Sequence, residues 1–249
     1  MRNKGDVSYK FDSAVLSLTA EQAMAFAEED SPAFFGGAFE VMQSMWIDEP
    51  KIAEAFRTGK GVGWHEHSAC LFRGTERFFR TGYNAHLVAE WLPALNGTVG
   101  KLERGARVAD IGCGHGASTI LMAKAYPNSR FFGFDYHGPS IEEAKRKANE
   151  AGVGDRCEFA QASAKSFPGG DYDLIAMFDC LHDMGDPVGA AAHVRETLRD
   201  DGTWMVVEPF ANDRLEENLN PVGRVFYSAS TFICTPASRS QEVGACLGA

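Results

Sequence analysis

The sequence contains no apolar run approaching the roughly 18 residues that a membrane span needs, and Met1 to Asp6 leads into no apolar signal core. A cytoplasmic protein without a membrane partner is expected. No Cys-x-x-Cys pair occurs. Six cysteines, Cys70, Cys113, Cys157, Cys180, Cys234 and Cys246, are scattered along the chain, which argues against a paired thiol motif and for reduced packing residues, three of them in expected core strands. No dense Lys/Arg stripe offsets the formal charge of −10. Such a field repels phosphate backbones, so nucleic acid is not an expected partner. Internal repeats and low-complexity tracts are also missing.

What is present is a globular composition, 45% hydrophobic and 23% charged over 249 residues, with 18 Phe spread along the chain. This length holds one α/β domain of ordinary size and a smaller helical element. Residues 1–100 read as helical, with Phe34, Phe35, Ala38, Val41, Met42 and Met45 recurring at three and four places. Ser31-Pro32 marks a helix start, Gly59 to Gly63 a break, and Gly74 to Leu95 a longer helix. Thr19 caps a short helix, and Val7 to Phe11 alternates like a strand without an obvious partner. We expect a helical cap over residues 1–100, serving substrate binding and dimerisation, and a second unit over 101–249.

From Arg107 the texture changes to short apolar strands alternating with amphipathic helices. Strands are expected at Arg107 to Gly112, Arg130 to Asp135, Cys157 to Ala162, Tyr172 to Phe178 and Thr203 to Glu208, with helices near 116–126, 139–151 and 187–199. This alternation predicts a doubly wound parallel sheet with right-handed crossovers.

The first of these strands ends in Asp110-Ile111-Gly112-Cys113-Gly114-His115-Gly116, a glycine-rich turn that lets a ligand approach bare backbone. Gly112, Gly114 and Ala117 also satisfy the dinucleotide pattern, which is weak in isolation. Asp110 discriminates. A carboxylate two places before the first glycine opposes a pyrophosphate and suits a cationic ligand.

This stretch resembles motif I of the class I S-adenosylmethionine-dependent methyltransferases, and the resemblance continues in order over about 100 residues. It implies a Rossmann-like methyltransferase fold with S-adenosylmethionine as cofactor. Asp135, at the end of the next strand, then accepts the ribose hydroxyls. Ser163 stands where such enzymes often carry an adenine-binding Asp, and Ala162 contributes backbone beside it. Phe178 closes the fourth strand and is counted with the cofactor residues. Tyr83 is added on position alone, because a helix leading into this domain often closes over the methionine end of the cofactor. The remaining aromatics of the helical region, Phe72, Phe78, Phe79 and Trp91, read as core.

Leu181-His182-Asp183-Met184-Gly185-Asp186 resembles the His-Asp-Trp-x-Asp stretch of small-molecule O-methyltransferases, with Met184 in place of Trp. The resemblance makes His182 the base for a small-molecule hydroxyl, and an imidazole with a pKa near 6.5 suits that proton. Adjacent strands bring Glu208 close enough to orient the ring. Carbon or nitrogen methylation of a metabolite needs the same cofactor site without a strong base. A non-catalytic cofactor-binding module is another reading, because the segment from Tyr9 resembles the one that follows a winged-helix domain in some bacterial methyltransferases.

No metal is expected. His65 and His67 are expected on opposite faces of a strand and lack a third ligand, and Asp179, Asn212 and Asp213 read better as turn formers. The carboxyl end is unusual. The methyltransferase sheet normally gains two more strands after the fifth, whereas here a polar helix near 212–219 and short apolar segments follow. The exposed edge predicts reduced stability or a homodimer.

Overall fold

The computed structural model describes residues 8–10 and 15–248. Two short antiparallel strands come first, β1 (Ser8–Lys10) and β2 (Val15–Ser17). The expected strand near Tyr9 therefore has a partner, unmarked in the sequence because its alternation lasts three residues; Val7 and Phe11 lie outside the described residues. Helix α1 (Ala20–Phe26) starts as expected at Thr19, whose hydroxyl accepts the Gln22 N–H at 3.2 Å while Gln22 Oε1 accepts the Thr19 N–H at 3.0 Å. That reciprocal pair satisfies two donors the helix cannot use.

Helix α2 (Gly36–Thr58) starts later than Ser31-Pro32 suggested, because Ser31 Oγ accepts the Ala33 N–H and closes a turn instead. It stops at Gly59, whose left-handed φ of 72° reverses the chain. Helix α3 (Ala69–Gly82) crosses α2 at two glycines. A Cβ on Gly37 would fall 2.4 Å from the Phe78 amide nitrogen, and one on Gly74 would fall 2.7 Å from that of Val41. The helix expected from Gly74 to Leu95 starts at Ala69 and widens into a π-helical stretch over Tyr83–Trp91. Short helices α4 (Leu92–Ala94) and α5 (Thr98–Arg104) lead into the sheet.

The α/β part follows the sequence expectation closely. Strand β3 (Arg107–Ile111) is followed by α6 (Ala117–Ala125), β4 (Arg130–Asp135), α7 (Gly138–Glu150), β5 (Cys157–Gln161), β6 (Tyr172–Phe178), α8 (Pro187–Thr197) and β7 (Leu198–Val207). All five strands are parallel in the order β5-β4-β3-β6-β7. Strand β7 begins earlier than Thr203 because Leu198 pairs with Tyr172 ahead of a register shift. Of the three cysteines expected in strands only Cys157 lies in one; all six are free.

The sheet separates two cores. Val108 and Phe131 pack on one face with Tyr83, Leu87, Leu92 and Leu102 of the helical region, while Ala109, Ile111, Ile175 and Met177 pack on the other with Val194 of α8. Burial of both faces explains why these strands read as nearly continuous apolar runs. The chain leaves β3 toward β4 on one side and returns to β6 on the other, so a crevice opens at the carboxyl ends of β3 and β6.

Beyond β7 the expected polar helix shrinks to one tight turn, Leu215–Asn218. The Asn218 amide donates to the carbonyls of Asn212 and Arg214 at 2.9 and 3.0 Å, and such local bonds compete with helix. Helix α9 (Pro221–Phe232) is capped by Asn220, and α10 (Cys234–Arg239) follows. The Val62 N–H donates to Pro236 O, and Ser238 Oγ donates to Met184 O, so α10 ties the helical region to the loop after β6. No helix among the described residues is long and apolar enough to cross a membrane.

Candidate active site

At the end of β3 the Gly112 and Cys113 amides both donate to Phe134 O, at 2.7 and 3.1 Å, which anchors the glycine turn to β4. Gly112 has φ 73°, and a Cβ there would lie 2.8 Å from Cys180 Sγ, so turn and β6 loop touch directly. Gly114, with φ 51°, faces open space instead. Its N–H donates to Asp135 Oδ2 at 2.9 Å, while Asp135 Oδ1 accepts the His137 N–H at 2.8 Å. Burial raises the Asp135 pKa against these two bonds. Each oxygen keeps a lone pair for a further donor.

Gly112, Gly114 and Asp135 line a cleft of about 260 Å³ at the crevice, together with Ala162, Ser163, Phe178 and Tyr83. Asp110 is not on its wall. It lies beneath the turn, 1% exposed, with Oδ2 accepting the Ser118 and Thr119 hydroxyls at 2.6 Å each. Burial pushes its pKa up to about 6, against those hydroxyls. In this position the carboxylate clamps the first turn of α6.

The roof of the cleft was largely illegible in the sequence. Trp64, Phe72, Glu76 and Phe79 come from the helical region, so Phe72 and Phe79, expected as core, line the cleft as Tyr83 does. Glu76 is held by Lys147 at 2.7 Å, with Arg80 at 3.4 Å and His115 at 3.8 Å. Burial opposes its charge, but the hydrogen bonds from His115 and Lys147 and the Lys147 and Arg80 charges bring its pKa down to about 2. A lone Glu on an amphipathic helix gives no sign of this. From the carboxyl end come Ala237 and Gln241, the latter accepting the Gly185 N–H and donating to Asp183 O at 2.8 Å each.

Past β6, Leu181–Asp183 forms one tight turn. Glu208, just after β7, accepts the Leu181 N–H with Oε1 at 2.8 Å and pairs with His182 Nδ1 through Oε2. His182 Nε2 lies 3.3 Å from Asp183 Oδ1. Burial disfavours the imidazolium, yet the Glu208 bond and the Asp183 charge hold its pKa up to about 8. The His182–Glu208 pair lines a separate cavity with Asn212, Asp213 and Tyr227, and Asp183 lines the main cleft. Asp183 thus stands between the two.

His182, Asp183 and Cys234 bring ligand atoms within 4.8 Å of one another. Burial, reinforced by the Asp183 carboxylate, raises the Cys234 thiol pKa well above its ordinary value. His65 and His67 are not on a strand. His65 sits on a tight turn at Trp64–Glu66 and His67 follows it; the His65 N–H donates to Tyr136 OH, and His67 Nδ1 pairs with buried Asp48 at 3.1 Å.

A family model for a methyltransferase domain matches residues 102–233, just over half of the chain. The 27-O-demethylrifamycin SV methyltransferase of Amycolatopsis mediterranei is 30% identical over 169 residues, covering 65% of this chain and 57% of that protein. The trans-aconitate 2-methyltransferase of Streptomyces avermitilis is 39% identical over 71 residues, covering 28% of this chain and 26% of its own length. The chain therefore spans less than two thirds of these curated relatives. Among solved structures, an O-methyltransferase family protein from Burkholderia thailandensis superposes with a TM-score of 0.67 at 18% identity, over 90% of this chain and 67% of that one. PigF with SAH superposes with a TM-score of 0.65 at 17% identity, over 88% and 67%. Both share the α/β fold together with the helical region ahead of it.

Proposed function

The chain belongs to the methyltransferase domain family, whose cofactor is S-adenosylmethionine, and on that premise we propose that it methylates a hydroxyl group of a small molecule with His182 as the base. The observation that carries the reading is the His182–Glu208 pair, built from the carboxyl ends of neighbouring strands β6 and β7.

The residues of the main cleft fit the cofactor. Gly114 leaves space for it, and of the residues that line the cleft Asp135 would offer two carboxylate oxygens to the ribose, Ala162 and Ser163 would hold the adenine, and Tyr83 and Phe178 would hold the methionine end. When bound, S-adenosylmethionine supplies an electrophilic methyl group on a sulfonium. Glu208 holds the Nδ1 side of His182, and Nε2, 3.3 Å from Asp183 Oδ1, is the nitrogen to which the acceptor's proton is assigned. Losing that proton would leave the acceptor oxygen nucleophilic toward the methyl group that S-adenosylmethionine, held by Asp135 and the glycine turn, would supply. Residues 1–100 act as the helical cap that shapes the acceptor's access, over a cofactor-binding unit at 101–249.

One observation favours a second reading. His182 is held protonated at neutral pH and lines a cavity other than the main cleft. Methylation at carbon or nitrogen of an acceptor that is already nucleophilic needs no base. Transfer of labelled methyl to a metabolite panel by wild type and His182→Ala separates the two: loss of turnover in the variant supports the base, and full turnover supports the second reading.

We also propose a homodimer in the cytoplasm. Strand β7 forms a sheet edge, and α2 exposes Trp46 (81%) and Phe56 (74%), apolar surface that a second copy can cover. The six free thiols suit a reducing compartment.

A further inference from the structure

Asp179 differs from the other carboxylates of the main cleft. Glu76 is paired with Lys147, Asp186 with Lys165 and Asp183 with His182, while Asp135 receives two backbone N–H bonds. Asp179 receives only the Tyr83 hydroxyl, which donates to Oδ2 at 3.2 Å, and among the described residues no cation lies within ion-pair distance of it. It is nonetheless tightly placed. Its N–H donates to Val207 O at 2.8 Å, and its φ of 51° is one that few residues other than glycine adopt. Burial, reinforced by the nearby Glu208 charge, pushes its pKa up to about 7. A carboxylate so placed is uphill until a positive charge joins it.

The position of Asp179 indicates which charge that is. It follows Phe178 at the end of β6, between the glycine turn that Cys180 touches and the turn bearing His182 and Asp183. A methyl group passing from cofactor to acceptor must cross this line, so the reacting sulfonium belongs beside it. We propose that Asp179 recognises the positive sulfonium and thereby makes the site prefer S-adenosylmethionine to the neutral product S-adenosylhomocysteine. This rests on the cofactor reading above. The two ligands share adenosine and amino-acid groups and differ by the methyl and its charge. Once the methyl has gone, Asp179 again lacks a cation, which favours exchange of product for fresh cofactor.

The test is titration calorimetry without acceptor, at about pH 8.5 so that the carboxylate is ionised. Wild type and Asp179→Asn are each titrated with both ligands. Asparagine tolerates the left-handed backbone, so Asp179→Asn keeps the fold, which melting curves check. The expected result is an Asp179→Asn variant that loses about tenfold in S-adenosylmethionine affinity, a change of ~1.4 kcal/mol, and keeps its affinity for the product. Equal weakening of both ligands places Asp179 on their shared ammonium group and overturns the proposal, as do unchanged affinities. Wild type binding neither ligand would bring down the cofactor reading itself.

Discussion

Glu208 holds His182 from behind: one carboxylate oxygen accepts the Leu181 N–H and the other pairs with His182 Nδ1, so the backbone and the ring of the same turn are fixed by a single side chain. The consequence is a defined orientation for Nε2 and a raised pKa. If His182 is the base, kcat/KM rises with pH and levels off above about 8, where the ring is neutral. Glu208→Gln moves that midpoint down toward the ordinary value near 6.5 and lowers kcat by ~100-fold through loss of orientation. A pH–rate profile of both proteins checks this. The sign for stability is the opposite: a raised histidine pKa contributes fully below about 6.5 and is lost as pH rises through about 8.

Glu76 links three elements, since it lies on α3 and pairs with Lys147 of α7 beside His115 of the glycine turn. Its pKa of about 2 lies below the unfolded value. The stabilisation is therefore present above roughly pH 4.3 and lost as pH falls toward 2. Glu76→Ala leaves Lys147 without its buried partner and costs about 3 kcal/mol, readable by urea unfolding at pH 7. At pH 3 the difference from wild type shrinks.

The crossing of α2 and α3 depends on Gly37 and Gly74. Gly37→Ala places a methyl group 2.4 Å from a backbone nitrogen, which cannot move like a side chain. We expect a loss of about 2 kcal/mol. Limited proteolysis should release α2 first.

Asp110 and Asp135 separate the two uses of a carboxylate near the glycine turn. Asp110→Asn still accepts the Ser118 and Thr119 hydroxyls and removes a buried charge, so cofactor affinity should stay within about threefold of wild type. The expected loss for Asp135→Ala is about 100-fold, because the groups it contacts are left without an acceptor. Calorimetry with S-adenosylmethionine compares them.

The α/β half of the chain was legible because each of its layers leaves a separate trace. Val108 to Ile111 and Leu174 to Met177 are buried on both faces and so read as apolar runs, with turn residues such as Pro127 and Gly152 between them. His182 and Glu208 could be brought together from strand order alone. The helical half behaves differently. Its stripes mark an apolar face without saying what that face meets: Phe79 packs against the core as expected and also lines the cleft, and Phe72 roofs the cleft. Asp110 illustrates the remaining limit: its place in the motif was plain, but whether it points up at a ligand or down at α6 depends on the two hydroxyls at Ser118 and Thr119. Gln241 carried no signal, because its role depends on where α10 docks.

Sedimentation of the purified chain addresses the exposed apolar residues of α2 and the edge at β7. A homodimer is expected at micromolar concentration, and Trp46→Glu shifts it toward monomer. A monomer at all concentrations contradicts that part of the account.

The central claim is that the cleft at the carboxyl ends of β3 and β6 holds S-adenosylmethionine through Asp135 and the glycine turn. Titration calorimetry of wild type and Asp135→Ala with S-adenosylmethionine and with NAD tests it most directly. The account predicts saturable one-site binding of S-adenosylmethionine, weakened by Asp135→Ala, and none of NAD; binding of NAD without S-adenosylmethionine would contradict it.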